Sequence, residues 1–122
     1  MKTNEWLAYL LDEHRAVFVA DLGERLAEAG RPVPAGAVEA WAAALHDDLA
    51  ADTPDRTGRA LSAPAGITGL PRAELAPFWD RAEALLRDWI AAEPEMTAGA
   101  KRLAYLRLST FGNELRRALR AD

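Results

Sequence analysis

The stretch LAPFWDRAEALLRDWI, residues 75–90, decides the fold class of this chain. Its apolar side chains recur three and four residues apart, at Leu75, Phe78, Trp79, Ala82, Leu85, Leu86, Trp89 and Ile90. This spacing places them on one face of an α-helix, and such a face has to pack against other elements. We therefore expect a buried helix over about 77–92, with Pro77 at its first position.

The same period recurs in three other stretches, and no stretch alternates apolar and polar residues with a period of two. The pattern predicts helices over about 4–29, 35–52, 77–92 and 98–120. Prolines and glycines are dense in 53–70, where we expect an irregular segment. Short connections make the joined helices antiparallel neighbours. The sequence thus predicts an all-α single domain over 1–122, either a four- to five-helix antiparallel bundle or a globin-like arrangement.

Composition restricts the function. The 122 residues suit one domain, and the net charge of −4 gives no general attraction to nucleic acid or to an anionic membrane. The chain contains no cysteine, which excludes disulfides, thiolate metal sites and cysteine nucleophiles. No stretch approaches the roughly 20 apolar residues that cross a bilayer, and no basic segment precedes an apolar run. We expect a soluble cytoplasmic protein without membrane contact.

The first helix carries polar residues on its inner side. Thr3 or Asn4 is expected to cap it, and its apolar stripe comprises Leu7, Leu10, Leu11, Val17, Phe18 and Leu22. At about 100° per residue, His14 falls near the middle of this stripe and Asp21 close to it. Arg25 lies one turn after Asp21, a spacing at which the two side chains pair.

His14 is the first candidate for chemistry, because an inward imidazole can ligate haem, accept a phosphoryl group, titrate within the core or simply satisfy a hydrogen bond there. Neither His14 nor His46 has a glutamate three residues before it, and no His-Glu-x-x-His occurs, so we expect no metal site. Asp47 and Asp48 disfavour phosphotransfer at His46. We predict no catalytic residue and no cofactor, with haem at His14 as the alternative.

Other candidates have ordinary structural explanations as well. Trp41 and Trp79 lie on apolar stripes, where a core position is expected and a ligand pocket is the alternative. The charged residues of the third helix, among them Arg81 and Arg87, are expected on its solvent side. Gly112 and Asn113 predict a weak point in the last helix.

The last helix is basic. Arg107, Arg116, Arg117 and Arg120 complement the helix dipole at its C-terminal end, or they form a surface for an acidic protein partner. A small nucleic-acid-associated regulator that uses this helix is a further alternative, and the net acidity of the chain argues against it.

The segment WLAYLLDEHR, residues 6–15, with DLGERL at 21–26, resembles the helical N-terminal sensor domains of stressosome co-antagonists and related bacterial regulators. The resemblance implies a globin-like dimer without haem that passes a signal to an output domain and has no catalytic residues. Separately, STFGNELR, residues 109–116, is similar to the dimerisation helix of sensor histidine kinases. Asn113 occupies the place of their phosphoacceptor histidine, and an amide cannot carry the phosphoryl group.

These observations together favour a non-catalytic signalling sensor or adaptor domain that binds a ligand or a protein. We expect a homodimer that pairs through the first and the last helices. His14, Asp21 and Arg25 are the predicted polar parts of a switch in which helix repacking carries the signal.

Overall fold

The computed structural model describes residues 1–28, 30, 35–51 and 76–120. Within these ranges the chain forms five α-helices and no strand: α1 Thr3–Glu13, α2 Arg15–Glu28, α3 Ala35–Ala50, α4 Ala76–Ala92 and α5 Ala98–Arg120. The all-α class is thereby confirmed. The irregular segment predicted at 53–70 lies outside the described residues.

The single helix predicted over 4–29 is wrong, because the chain forms two helices that meet at His14. The backbone of His14 has φ −108° and ψ 20°, away from helical values. Hydrogen bonding nevertheless continues across it, since the His14 N–H donates to the carbonyl of Leu10 and its own carbonyl accepts from Phe18. Residue 14 is therefore a local distortion between two helices rather than a loop.

The distortion at residue 14 separates the buried residues of α1 from those of α2. Trp6, Leu7, Leu10 and Leu11 are buried in α1, whereas α2 buries Phe18, Leu22 and Leu26. Val17 was expected on the stripe, but its side chain is 55% exposed. After the distortion, the fully buried positions of α2 are four residues apart.

Helix α4 supplies much of the core. Trp79, Ala82, Leu86 and Ile90 are fully buried, as the repeat in 75–90 predicts. They join the buried stripes of the other helices in one apolar cluster, which includes Val38, Trp41, Leu45 and Leu49 of α3 and Ala104, Leu108, Phe111 and Leu115 of α5. Burying a side chain of this size contributes about 1.5–3 kcal/mol, so this cluster dominates the stability.

The helix ends are closed by local contacts. Thr97 caps α5, since its Oγ1 accepts the Ala100 N–H at 3.1 Å. At α1 the cap expected at Thr3 or Asn4 is wrong, because Lys2 precedes the first turn and its N–H donates to Glu5. Asn4 instead donates to the carbonyl of Ala50 at 2.8 Å and so ties the start of α1 to the end of α3.

Gly112 is a close-contact position, and α5 runs through it without a break. A Cβ at residue 112 would lie 2.6 Å from Trp79 Nε1 and 3.0 Å from Glu83 Oε1. Helices α4 and α5 approach closely here because glycine has no side chain.

None of the helices in the described part of the chain is both long and apolar enough to cross a membrane.

Gly112→Ala should lower the free energy of unfolding by about 1–3 kcal/mol, because the new methyl group overlaps the indole of Trp79. Urea unfolding followed by circular dichroism measures this change. Gly23→Ala is the matched control: a Cβ at residue 23 meets no atom within 4 Å, so alanine should stabilise α2 by about 0.5–1 kcal/mol. Equal stabilisation by both substitutions would contradict the close contact at Gly112.

Candidate functional site

The distortion at residue 14 places an imidazole on α4. The ring of His14 stacks on the indole of Trp89, with 4.6 Å between ring centroids and 15° between the planes. His14 is half-buried, so it lies at the edge of the core rather than in the middle of the stripe. The stack joins the α1–α2 boundary directly to α4.

An aromatic row continues from this stack into the core. Phe18 lies 6.5 Å from Trp89 and 5.7 Å from Trp41, centroid to centroid. Trp41 is 6% exposed and Trp79 is fully buried, where Trp79 packs 5.2 Å from Phe111. Both candidate ligand tryptophans are therefore packed among core side chains.

A bidentate ion pair lies two turns further along α2. Arg81 of α4 donates from Nε and Nη2 to the two carboxylate oxygens of Asp21, each at 2.8 Å. Arg25 reaches the same carboxylate at 3.3 Å, so the predicted Asp21–Arg25 pair is present but longer. The planar fork of an arginine matches a carboxylate in this geometry, which fixes the orientation of both side chains.

His14 and Asp21 thus contact the same helix. His14 meets Trp89 and Asp21 meets Arg81, so residue numbers rise along α2 as they fall along α4, and the two helices are antiparallel. We call these four residues the α2–α4 joint. It combines two kinds of contact. The flat rings of His14 and Trp89 can slide over each other, whereas the bidentate Asp21–Arg81 ion pair fixes the position of the two helices.

Arg81 stabilises the charged form of Asp21. The hydrogen bonds from Arg81 lower the pKa of Asp21 below its ordinary 3.8, with partial burial opposing this and Arg25 adding a smaller effect. The carboxylate also raises the pKa of Arg81. The joint therefore holds a full ion pair at neutral pH.

Helix α4 makes a second set of polar contacts, with α5. Arg116 donates to Asp80 at 2.7 Å and to Glu83 at 3.2 Å, and Arg87 donates to Ser109 at 2.7 Å. The expectation that the charged residues of this helix face solvent holds for Asp80 and Asp88, which are exposed, and is wrong for Arg81, Glu83 and Arg87, which are half-buried. They lie beside the apolar stripe and bond to the helices on either side.

The contacts of the candidate arginines determine how much of the basic last helix faces outward. Arg116 is held by α4, and Arg107 lies over the ring of Phe111 at 5.7 Å. Arg117 is exposed, while the side chain of Arg120 lies outside the described residues. Fewer of the four candidate cations thus face outward than the sequence suggests.

His46 lies apart from the joint. Its Nε2 is 3.1 Å from Asp12 of α1, and its Nδ1 is 3.3 Å from Asp47. This histidine links α1 to α3 between two carboxylates, which matches the acidic surroundings expected for it. The structure does not bring His46 and His14 into one site.

A shallow apolar groove is the feature that sequence reasoning missed. It has a volume of about 280 Å³ between the start of α1 and the outer side of α5, and is lined by Thr3, Leu103, Leu106, Arg107 and Thr110. Leu103 and Leu106 are 55% and 65% exposed. Both leucines lie outside the buried stripe of α5. Their position off this stripe was the only sign of the groove in the sequence.

Among the residues that the structure describes, no group of three or more histidine, aspartate or glutamate side chains could hold a metal ion. Comparison with protein-family models, with curated protein sequences and with solved structures finds no match to this chain.

Asp21→Asn should lower stability by about 1–2 kcal/mol at neutral pH, because the half-buried Arg81 loses its charged acceptor. The pKa of Asp21 is lower in the folded than in the unfolded chain, so its stabilisation is complete above about 3.8 and is lost as the pH falls through the folded value. The variant should accordingly show a weaker acid dependence. Urea unfolding over an acidic pH series measures both effects.

Glu24→Gln is the control for this prediction, because it removes the same charge from an exposed position of α2. Its stability should change little across the same pH series. An equal loss in both variants would mean that the fork contributes nothing beyond net charge.

Proposed function

We propose that this chain is a non-catalytic signalling domain, a sensor or adaptor, that binds a ligand or a protein and responds by repacking its helices. The observation that carries the proposal is the α2–α4 joint. The sequence predicts His14, Asp21 and Arg25 as polar parts of a switch. In the structure His14 and Asp21 belong to this joint, and Arg25 contacts Asp21.

The geometry suits two alternative packings. The backbone distortion at His14 allows α2 to turn relative to α1 without breaking a long helix. The flat stack of His14 on Trp89 can slide, and the Asp21–Arg81 fork favours one position of α2 on α4. A ligand or partner shifts such an equilibrium only through different affinities for the two packings.

The contacts between α4 and α5 give the signal a route. Arg116 and Arg87 connect α5 to the helix that carries Arg81 and Trp89. A shift of α4 therefore displaces α5, the longest described helix at 23 residues. In the proposal, α5 presents this displacement to a protein partner or an output domain.

The resemblance of residues 6–15 and 21–26 to sensor domains of stressosome co-antagonists supports the same function. On this proposal the protein works in the cytoplasm, in a bacterial signalling system, as a homodimer that pairs through α1 and α5.

Two other classes of protein would give different experimental results. A haem protein that uses His14 would show a strong visible absorption band when purified, whereas the proposed sensor would show none. A nucleic-acid-binding protein that uses α5 would bind with a steep salt dependence. Either result would replace the proposal.

Native-state hydrogen exchange tests the switch without a known ligand. If two packings exist, backbone amides of α2 and α4 at the joint should exchange together through an opening that costs less than global unfolding. His14→Leu should leave the helical content unchanged and should selectively change the free energy of this opening, because a leucine cannot reproduce the stack on Trp89.

His46→Gln is the matched control, since it removes a histidine from the α1–α3 contact instead. It should leave the opening at the joint unaltered. If the amides of α2 and α4 exchange only through global unfolding in the wild-type protein, no second packing exists and the proposed mechanism fails.

A further inference from the structure

The outer side of α5 has the spacing of a coiled-coil seam. Six exposed residues follow one another at intervals of 4, 3, 4, 3 and 4, namely Gly99, Leu103, Leu106, Thr110, Asn113 and Arg117. A helix that repeats with this average of 3.5 residues presents a continuous line to a second helix. We call these residues the outer seam. It lies on the side of α5 opposite the buried stripe of Ala104, Leu108, Phe111 and Leu115.

The sizes of the seam residues suit a second copy of the same helix in antiparallel orientation. If Leu103 of one copy faces Leu106 of the other, the symmetry brings Leu106 opposite Leu103 as well. Gly99 then faces Thr110 at both ends of this apolar centre. Small residues flank the four leucines, so the two helix backbones can approach closely.

Charge is complementary in the same arrangement. Arg117 comes alongside the connection that precedes α5 of the other copy, and this connection contains Glu93 and Glu95. Carboxylates outnumber cations at that end of the bundle: the charge of Glu13, with smaller effects of Glu93 and Glu95, raises the pKa of Tyr9, while Lys101 donates to the carbonyl of Ala91 there. Two-fold symmetry makes this contact twice.

We propose that two copies of this chain associate through the outer seam, with their α5 helices antiparallel and Leu103 against Leu106 at the centre. The arrangement rests on the pairing part of the proposed function and not on the switch at the α2–α4 joint. The groove beside Thr3 would receive the side chains of the second copy.

The apolar centre is short, so the association should be weak and concentration-dependent. Sedimentation or light scattering over a micromolar dilution series should show the mass doubling at the upper end. Leu106→Glu should weaken the dimer at least tenfold without altering the circular dichroism spectrum. Val17→Glu is the control, since Val17 is an exposed apolar residue of α2, and it should leave the dimer intact.

Cysteine cross-linking tests the orientation, because the natural chain has no cysteine. A mixture of Gly99→Cys and Thr110→Cys proteins should form a mixed disulfide on mild oxidation, whereas neither protein alone should cross-link efficiently. Efficient cross-linking of either variant by itself would indicate parallel helices and would overturn the proposed arrangement.

A charge exchange tests the register. Arg117→Glu and Glu95→Arg should each weaken the dimer several-fold, and the two together should restore it. Losses that add in the double variant would overturn this contact.

The outcomes also separate this inference from the proposed function. A monomer at every concentration overturns the pairing in both. A dimer that Leu106→Glu does not weaken leaves the pairing in place and overturns the outer seam alone. Neither result depends on exchange at the joint.

Discussion

Burial of one face of α4 is the constraint on which the rest of the structure depends. Trp79, Ala82, Leu86 and Ile90 are removed from water along this face, and α1, α2 and α5 all contact the helix. Apolar burial is not directional, so it selects an arrangement only where side chains fit closely, as Gly112 does against Trp79. The arrangement is specified by the polar side chains at the two edges of the face. Arg81 binds Asp21 of α2 on one side, and Asp80 and Glu83 bind Arg116 of α5 on the other.

The difference between the apolar core and the polar contacts at its edges is the basis of the candidate switch. The flat stack of His14 on Trp89 at the edge of the core accepts a small displacement of the helices, whereas a bidentate arginine does not. The α2–α4 joint holds both kinds of contact within two helical turns. His14 lies where the backbone leaves helical geometry, so the stack on Trp89 is the contact that a small rotation changes most. A structural role for these residues and a signalling role are therefore compatible.

Much of the fold could be predicted from the sequence because helix periodicity is a local property. The spacing in 75–90 predicts which residues of α4 are buried, and Val38, Trp41, Leu45 and Leu49 do the same for α3. The distortion at His14 could not be predicted, since no glycine or proline marks it. It alters the inner face of α2, and for this reason the exposure of Val17 was missed as well.

The candidate site was predictable only in part. Periodicity shows that His14 and Asp21 face inward, but their contacts with Trp89 and Arg81 depend on the packing of distant helices. Arg81 is 60 residues from Asp21, and nothing in its own helix distinguishes it from a solvated arginine. The close contact at Gly112 could not be predicted for a related reason: helix propensity describes an isolated helix, and the contact with Trp79 belongs to a pair of helices.

Contacts join residues at different separations in the sequence, and this separation affects the order in which they form during folding. The Arg87–Ser109 hydrogen bond closes 22 residues, and the Arg81–Asp21 pair closes 60. Loop-closure entropy makes the longer connection about 0.9 kcal/mol more costly. The α4–α5 hairpin is thus a part that a refolding chain can form early, and so is the pairing of α2 with α3, in which the Phe18–Trp41 contact closes 23 residues. The α2–α4 joint, which is proposed to move in signalling, then forms after both of these hairpins.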